Sequence, residues 1–245
     1  MINTNSLGIL GQFFLNIIHG IRTIYQNSNF YEKKISKTFE NRFEYKPSPH
    51  LLSSIIKYQN KKYKIEDFAI ESIWQKNLSL KDYEKLNNFF WFFSLDLKSS
   101  KKNTQIVIKN WISNNSKYQK KSWEFDLTAK RIISWLSNHQ LTYEDGNPEY
   151  RSNFDHMIQK QTNHLLNEIK NSKEFENKLI GCAAIILTGL AYKNKKQYLD
   201  TGLNLLKNII KSSIDNQGFP KSRNIRQLIF YLKYFVIIRA VSYTH

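Results

Sequence analysis

The chain holds a single cysteine, four prolines and eight glycines in 245 residues, and each scarcity excludes something. One thiol, Cys182, cannot make an intramolecular disulfide or a cysteine-based zinc site. So few prolines and glycines argue against a fold built through many tight β-turns. No apolar run approaches the roughly 18 residues that a membrane-crossing helix needs. What remains is 41% hydrophobic and 23% charged, the composition of a globular chain long enough to bury a core.

Acid is also scarce. Lys and Arg number 37 against 20 Asp and Glu, a net charge of +17, which points to a polyanionic partner such as nucleic acid, anionic lipid or acidic polysaccharide. Lys outnumbers Arg about four to one and Asn and Ile are abundant, so A/T-rich codon usage accounts for the excess equally well. The lysine pairs at 33–34, 61–62, 101–102, 120–121 and 195–196 are scattered, and no nucleic-acid-reading motif accompanies them. A specific nucleic-acid partner is therefore not expected. The histidines (His19, His50, His139, His156, His164, His245) show no metal-ligand spacing, and no metal or cofactor is expected. His156 and His164, eight apart on one helix, read as exposed side chains.

Periodicity organises the rest. Ile9, Leu10, Phe13, Phe14, Ile17, Ile18 and Ile21 make one apolar helical side over Ile9–Tyr25, read as a helix docked on the remainder of the protein. A membrane-interface helix is the lesser alternative, because Arg22 is its one basic residue. No basic leader with a small-residue cleavage site precedes it, and with the single thiol this places the chain in the cytoplasm. Residues 26–68 are polar and irregular, an extended arm with room for a small hairpin. These two pieces form an expected N-terminal unit, 1–69.

From residue 70 to 245 a procession of helices is predicted. They cover Leu80–Leu97, Thr104–Asn114, Asp126–Leu136 with Asp126 as N-cap, Pro148–Asn171 behind an Asn147 cap, Glu174–Tyr192, Lys195–Ser212 and Arg223–Val241. The Gly181–Leu190 stretch is apolar nearly all round, as in a helix enclosed on several sides. In the last helix Leu228, Ile229, Leu232, Phe235 and Val236 are expected to point inward. Short connections imply antiparallel helical hairpins, hence an all-α fold, either solenoid or α/α toroid, and no fixed-period repeat favours the solenoid families.

Four stretches resemble the N-terminal half of heparinase II/III-family proteins, polysaccharide lyases and their relatives. The first is the aromatic segment Phe89-Phe90-Trp91-Phe92-Phe93-Ser94-Leu95-Asp96-Leu97. The second, Trp123 through Leu136, is similar to a W-x-x-D-x-T-A-x-R-x-x-x-W-L signature. Asn177-Lys178-Leu179 leading into Ala183–Tyr192 is the third. The fourth is the turn Asp215-Asn216-Gln217-Gly218-Phe219-Pro220-Lys221-Ser222-Arg223-Asn224. In order and spacing they cover residues 85–240. The resemblance implies an incomplete α/α toroid, continued in full-length relatives and followed by a β-sandwich. The apolar rhythm fades from Arg239 to His245, so the chain reads as truncated, and a separate chain carrying the sandwich is an allowed partner.

Such lyases cleave uronate-containing polysaccharides by β-elimination: the C5 carboxylate is neutralised, a base takes the C5 proton and an acid protonates the leaving oxygen. The resemblance implies an acidic polysaccharide as partner. Asn177 stands where a neutralising Asn lies, or else satisfies first-turn amides of its helix. Ser222, Arg223 and Asn224 are candidates for holding a sugar carboxylate, or else for capping the last helix. Arg131, between Trp123 and Trp135, is either a structural ion-pair partner or part of the groove. No catalytic Tyr or His is identifiable: Pro220 replaces the expected His, and Ile225 falls where lyases place a Tyr. Little or no turnover by this chain alone is expected. The alternatives are a non-catalytic helical interaction module and, with less support, a charge-driven nucleic-acid binder.

Overall fold

Helices form almost wherever the sequence carries helical spacing. The computed structural model describes residues 4–38, 42–44, 56, 62–68, 73–74, 78–172, 174–192 and 196–242. Among them are α1 (Thr4–Gln26), α2 (Asn29–Ile35), α3 (Leu80–Asn87), α4 (Lys101–Asn115), α5 (Phe125–Ser137), α6 (His139–Thr142), α7 (Pro148–Glu168), α8 (Phe175–Ala191), α9 (Lys196–Ser213) and α10 (Ile225–Ser242). Extended pairing among the described residues is confined to two isolated bridges, Tyr63–Leu95 and Ile214–Pro220. The fold is all-α.

The cap chemistry explains several starts. Asn147 accepts from the Tyr150 amide with Pro148 opening α7, and Ser100 does the same for Asn103 at α4. At α5 the cap is Glu124 rather than Asp126: its carboxylate takes the amides of Asp126 and Leu127, while Asp126 pairs with Lys130 one turn on. The helix expected over Leu80–Leu97 is broken. Phe89 adopts a left-handed backbone, φ 59°, between α3 and a 3₁₀ turn at Phe90–Ser94, which lets its ring enter the core between Trp111 and Trp135.

Antiparallel contacts join α5 to α7, α7 to α8 and α8 to α9. Trp135 stacks on Phe154 and Arg131 bonds Gln161, so α5 and α7 run antiparallel. Thr162–Thr188 and Asp155–Tyr192 contacts set α7 antiparallel to α8. Gly189 against Leu199 and Gly202 against Ile186 set α8 antiparallel to α9. A Cβ at Gly189 would sit 2.5 Å from the Leu199 backbone nitrogen, so only glycine permits this approach. The Cys182 thiol, on the same seam, donates to the Gly202 carbonyl at 3.1 Å, and burial pushes its pKa to about 12. Helix α8 touches α5, α7, α9 and α10, which is why its sequence is apolar all round.

Two faces depart from expectation. On α10 the buried residues are Tyr231, Tyr234, Ile237 and Ile238, whereas Ile225, Ile229, Leu232 and Val236 are exposed. That helix is apolar on nearly every side, so spacing alone does not select which side meets α8. On α1 the expected docking side is turned outward at Phe14, Ile17, Ile18 and Ile21, with Ile24 exposed beside them, and α1 contacts α2; the side chains of Ile9, Leu10 and Phe13 lie outside the described residues. Its last turns are tied down by Arg22 to Glu168 and by Tyr25 against Tyr31.

Within the expected irregular arm, Asn29–Ile35 is helical and capped by Ser28. The hairpin allowed there falls outside the described residues, apart from 42–44, 56 and 62–68. Tyr31, Ile35, Phe43, Ile56 and Ile65 of this N-terminal unit share one hydrophobic core with the hairpins.

Candidate functional site

The corner between α9 and α10 is held by a short list of contacts. Ser213 and Asp215 carry it: the Lys221 amide donates to the Ser213 carbonyl and the Asp215 amide to that of Phe219, both at 2.8 Å. The Asp215 carboxylate accepts from the amides of Phe219 and Gln217 through one oxygen and forms an ion pair with the Arg223 guanidinium at 2.8 Å through the other, and these hold its pKa below the usual carboxylate range. Gly218 supplies a left-handed turn residue, φ 84°, and Arg223 adopts one at φ 56° despite its side chain. Asn224 then caps α10 by accepting from the Arg226 amide at 2.9 Å.

Ser222, Arg223 and Asn224 therefore lie in one turn, and a side-chain relay runs from it to Glu176, the chain neighbour of Asn177, without reaching Asn177 itself. The Ser222 hydroxyl donates to the Gln227 amide oxygen, and the Gln227 amide donates to Glu176 at 2.8 Å. Glu176 is the neighbour of Asn177, which itself donates to Glu174 at 3.1 Å in the first turn of α8. The ring of Phe175 meets that of Tyr231, closing the same junction from below. Gln227 and Glu176 were not foreseen from sequence; a contact across 51 positions leaves no local signal.

Arg223 keeps 62% of its side chain in solvent, and Lys221 and Arg226 beside it are also exposed. Most amides of the turn already donate within it, so what the corner offers an anion arriving from solvent is its exposed cations, with Asp215 as the paired acid. A planar guanidinium suits a carboxylate because two parallel N–H groups match its two oxygens.

Arg131 lies elsewhere. It has no solvent-accessible surface. Its Nε donates to Gln161 at 2.8 Å, Nη1 to the Asn87 carbonyl at 2.8 Å, and Nη2 to the Ser122 carbonyl and Thr128 hydroxyl at 3.0 and 3.2 Å. The guanidinium stacks 3.9 Å over Trp111, whose indole donates to the Asn87 side chain. Burial lowers its pKa to about 9, which leaves it charged at neutral pH. Each of these acceptors is neutral, so Arg131 is not an ion-pair partner; it knits α3, α4, α5 and α7 together in the interior and is not a groove residue.

The chemistry of β-elimination needs a base near the rim. Tyr231 and Tyr234 are the tyrosines on α10, and burial raises both, Tyr231 to about 12 and Tyr234 further. A phenol that is to lose its proton near neutrality needs the opposite shift. His164, read as exposed, is fully buried: burial lowers it to about 3, and its Nδ1 meets the Tyr31 hydroxyl at 2.7 Å. His156 contacts Thr38 at 2.8 Å. Both histidines serve the seam between α2 and α7.

A buried carboxylate, Asp155, lies in the N-terminal half of α7. The hydroxyls of Tyr143 and Tyr192 donate to Asp155 at 2.9 and 2.8 Å, and burial raises the carboxyl to about 6. Phe43 packs over Tyr143 and Tyr192, and the Glu44 amide donates to the Ala191 carbonyl, so this cluster fastens the arm. A cleft of about 280 Å³ between α4 and α7 is lined by Gln105, Lys109, Asn147, Glu149 and Asn153, and none of the predicted site residues reaches it. No group of three or more metal-binding side chains occurs among the described residues.

No protein-family model, no curated protein and no solved structure matches this chain.

Proposed function

We propose that this chain is a polysaccharide-lyase-like scaffold that binds an acidic, uronate-containing polysaccharide at the α8–α10 rim and does not cleave it unaided. The antiparallel hairpins are read as part of an α/α toroid, with α5, α8 and α10 as its inner row. The observation that carries the reading is the Ser222–Gln227–Glu176 relay, which joins the corner to the first turn of α8 beside Asn177 while Arg223 and Arg226 stay in solvent. Charge-assisted, bidentate contact from Arg223 to a uronate carboxylate is the expected bond. The raised pKa of both α10 tyrosines supports binding without turnover.

Titration with heparin and alginate oligosaccharides at moderate salt tests the proposal, with DNA of equal charge as comparison. Binding that prefers uronate chains, weakened several-fold by Arg223→Ala, is expected. Equal and steeply salt-dependent binding to DNA and heparin would reduce the effect to nonspecific electrostatics. Release of unsaturated uronate ends at appreciable rate would overturn the non-catalytic part.

One observation favours a second reading, a helical interaction module. Ile225, Ile229, Leu232 and Val236 form an exposed apolar line along α10, the kind of edge against which another helix packs. A stable complex with a helical protein, lost on Ile229→Glu and unaffected by Arg223→Ala, would favour it.

A further inference from the structure

The apolar side of α1 is the feature left without a role by the hairpin body. Ile18, Ile21 and Ile24 are 60, 63 and 74% exposed, and Ile17 lies on the same side. Phe30 on α2 extends the surface, 69% exposed with its ring 6.2 Å from that of Tyr25. The opposite side of α1 carries Asn16, His19, Arg22, Thr23 and Gln26. At 23 residues the helix is about 35 Å long, and it is not apolar enough to cross a membrane.

The charges around it are one-sided. Residues 1–38 contain a single acid, Glu32, and that carboxylate is turned inward onto Lys160 and the Tyr118 amide. Lys33, Lys34 and Lys37 follow immediately and are exposed. A half-apolar helix flanked by outward lysines and no outward acid suits a surface that is apolar below and anionic above. A second copy suits it poorly, since each copy brings a net charge of +17.

We propose that α1 and α2 form an interfacial anchor for an anionic lipid bilayer. Helix α1 lies flat in the headgroup region, with Ile17, Ile18, Ile21 and Ile24 reaching the acyl boundary and Lys33, Lys34 and Lys37 meeting lipid phosphates. Apolar burial supplies the insertion, and each lysine near the surface adds attraction of about 1 kcal/mol, roughly fivefold in partition. The hairpin body would then stand on the membrane through the Arg22–Glu168 and Glu32–Lys160 contacts.

Cosedimentation of the full chain with vesicles of pure phosphatidylcholine and of phosphatidylcholine mixed with phosphatidylglycerol tests this. Stronger partition onto the mixed vesicles is expected. Ile18→Glu/Ile21→Glu should weaken it at least about tenfold, with unchanged circular dichroism because both side chains are exposed. Lys33→Glu/Lys34→Glu should abolish the preference for anionic lipid. As a control, Ile229→Glu/Leu232→Glu on α10 should leave partition unchanged. Failure to partition on either vesicle would overturn the proposal, as would an equal loss from the α10 variant. Concentration-dependent dimerisation removed by the α1 variant, without vesicle binding, would assign the face to a second copy instead.

Discussion

Two arginines from the same set of sequence signals end in opposite surroundings. Arg131 gives up all contact with water and is held by carbonyls, a hydroxyl and an amide, without a carboxylate among those partners. Arg223 keeps most of its side chain in solvent on a left-handed backbone with Asp215 beside it. An arginine between tryptophans on an apolar helix is drawn inward because its flat guanidinium can stack and satisfy several carbonyls at once. An arginine in a polar turn stays where an anion can reach it. Residue type and motif were alike informative, and burial separates scaffold from surface.

The largest effect expected from breaking this contrast is at the buried arginine. Arg131→Met strands the carbonyls of Asn87 and Ser122 and the Gln161 amide, and should cost about 3–5 kcal/mol, read as a fall in the urea midpoint. Arg131→Lys should recover little, since an ammonium cannot reproduce the fork.

Next comes Asp155, whose carboxyl is raised from 3.8 to about 6 in the fold by burial. The native state holds this proton more tightly than the unfolded chain, so the contribution is fully present below the unfolded pKa and is lost as pH rises through about 6. At most about 3 kcal/mol is at stake. Unfolding curves of the wild type and Asp155→Asn should therefore differ in favour of Asn at neutral pH and converge on acidification toward pH 4.

Two glycines extend the contrast between interior and rim. Gly189→Ala drives a methyl into the Leu199 backbone and should cost about 1–3 kcal/mol. Gly218→Ala meets open space but a φ of 84°, so the cost should be nearer 1 kcal/mol, purely conformational. Thermal denaturation of both variants distinguishes crowding from backbone strain. Smallest of all, Arg223→Ala should leave the unfolding midpoint in place and change only the binding of uronate chains.

The helices most legible in sequence were those whose ends and faces both signalled. Asn147 followed by Pro148 fixed the start of α7, and Tyr150, Phe154, Met157, Ile158, Leu165 and Ile169 are buried as their spacing requires. The enclosure of α8 was equally plain, because a helix apolar on every side has no side to show water. That same property concealed the orientation of α10: with apolar residues all round, packing against α8 chose Tyr231 and Tyr234 over Ile229 and Leu232. Phe89 carries no local sign of its left-handed backbone, which is set by tertiary burial of its ring. At the rim, the turn Asp215–Asn224 was visible as a turn, but its link to α8 through Gln227 is a long-range contact. The apolar side of α1 is legible in the sequence but reads first as docked on the body, because hydrophobic spacing states that a face exists and says nothing about what covers it.

The lone thiol of the chain offers a clock. Cys182 sits shut inside the α8–α9 seam, bonded to the Gly202 carbonyl and nearly un-ionisable there, so a thiol reagent can reach it only when that hairpin parts. With no second cysteine to confuse the signal, the labelling rate of the unmodified protein counts how often the α8–α9 seam opens, and does so without a mutation, a dye or a denaturant.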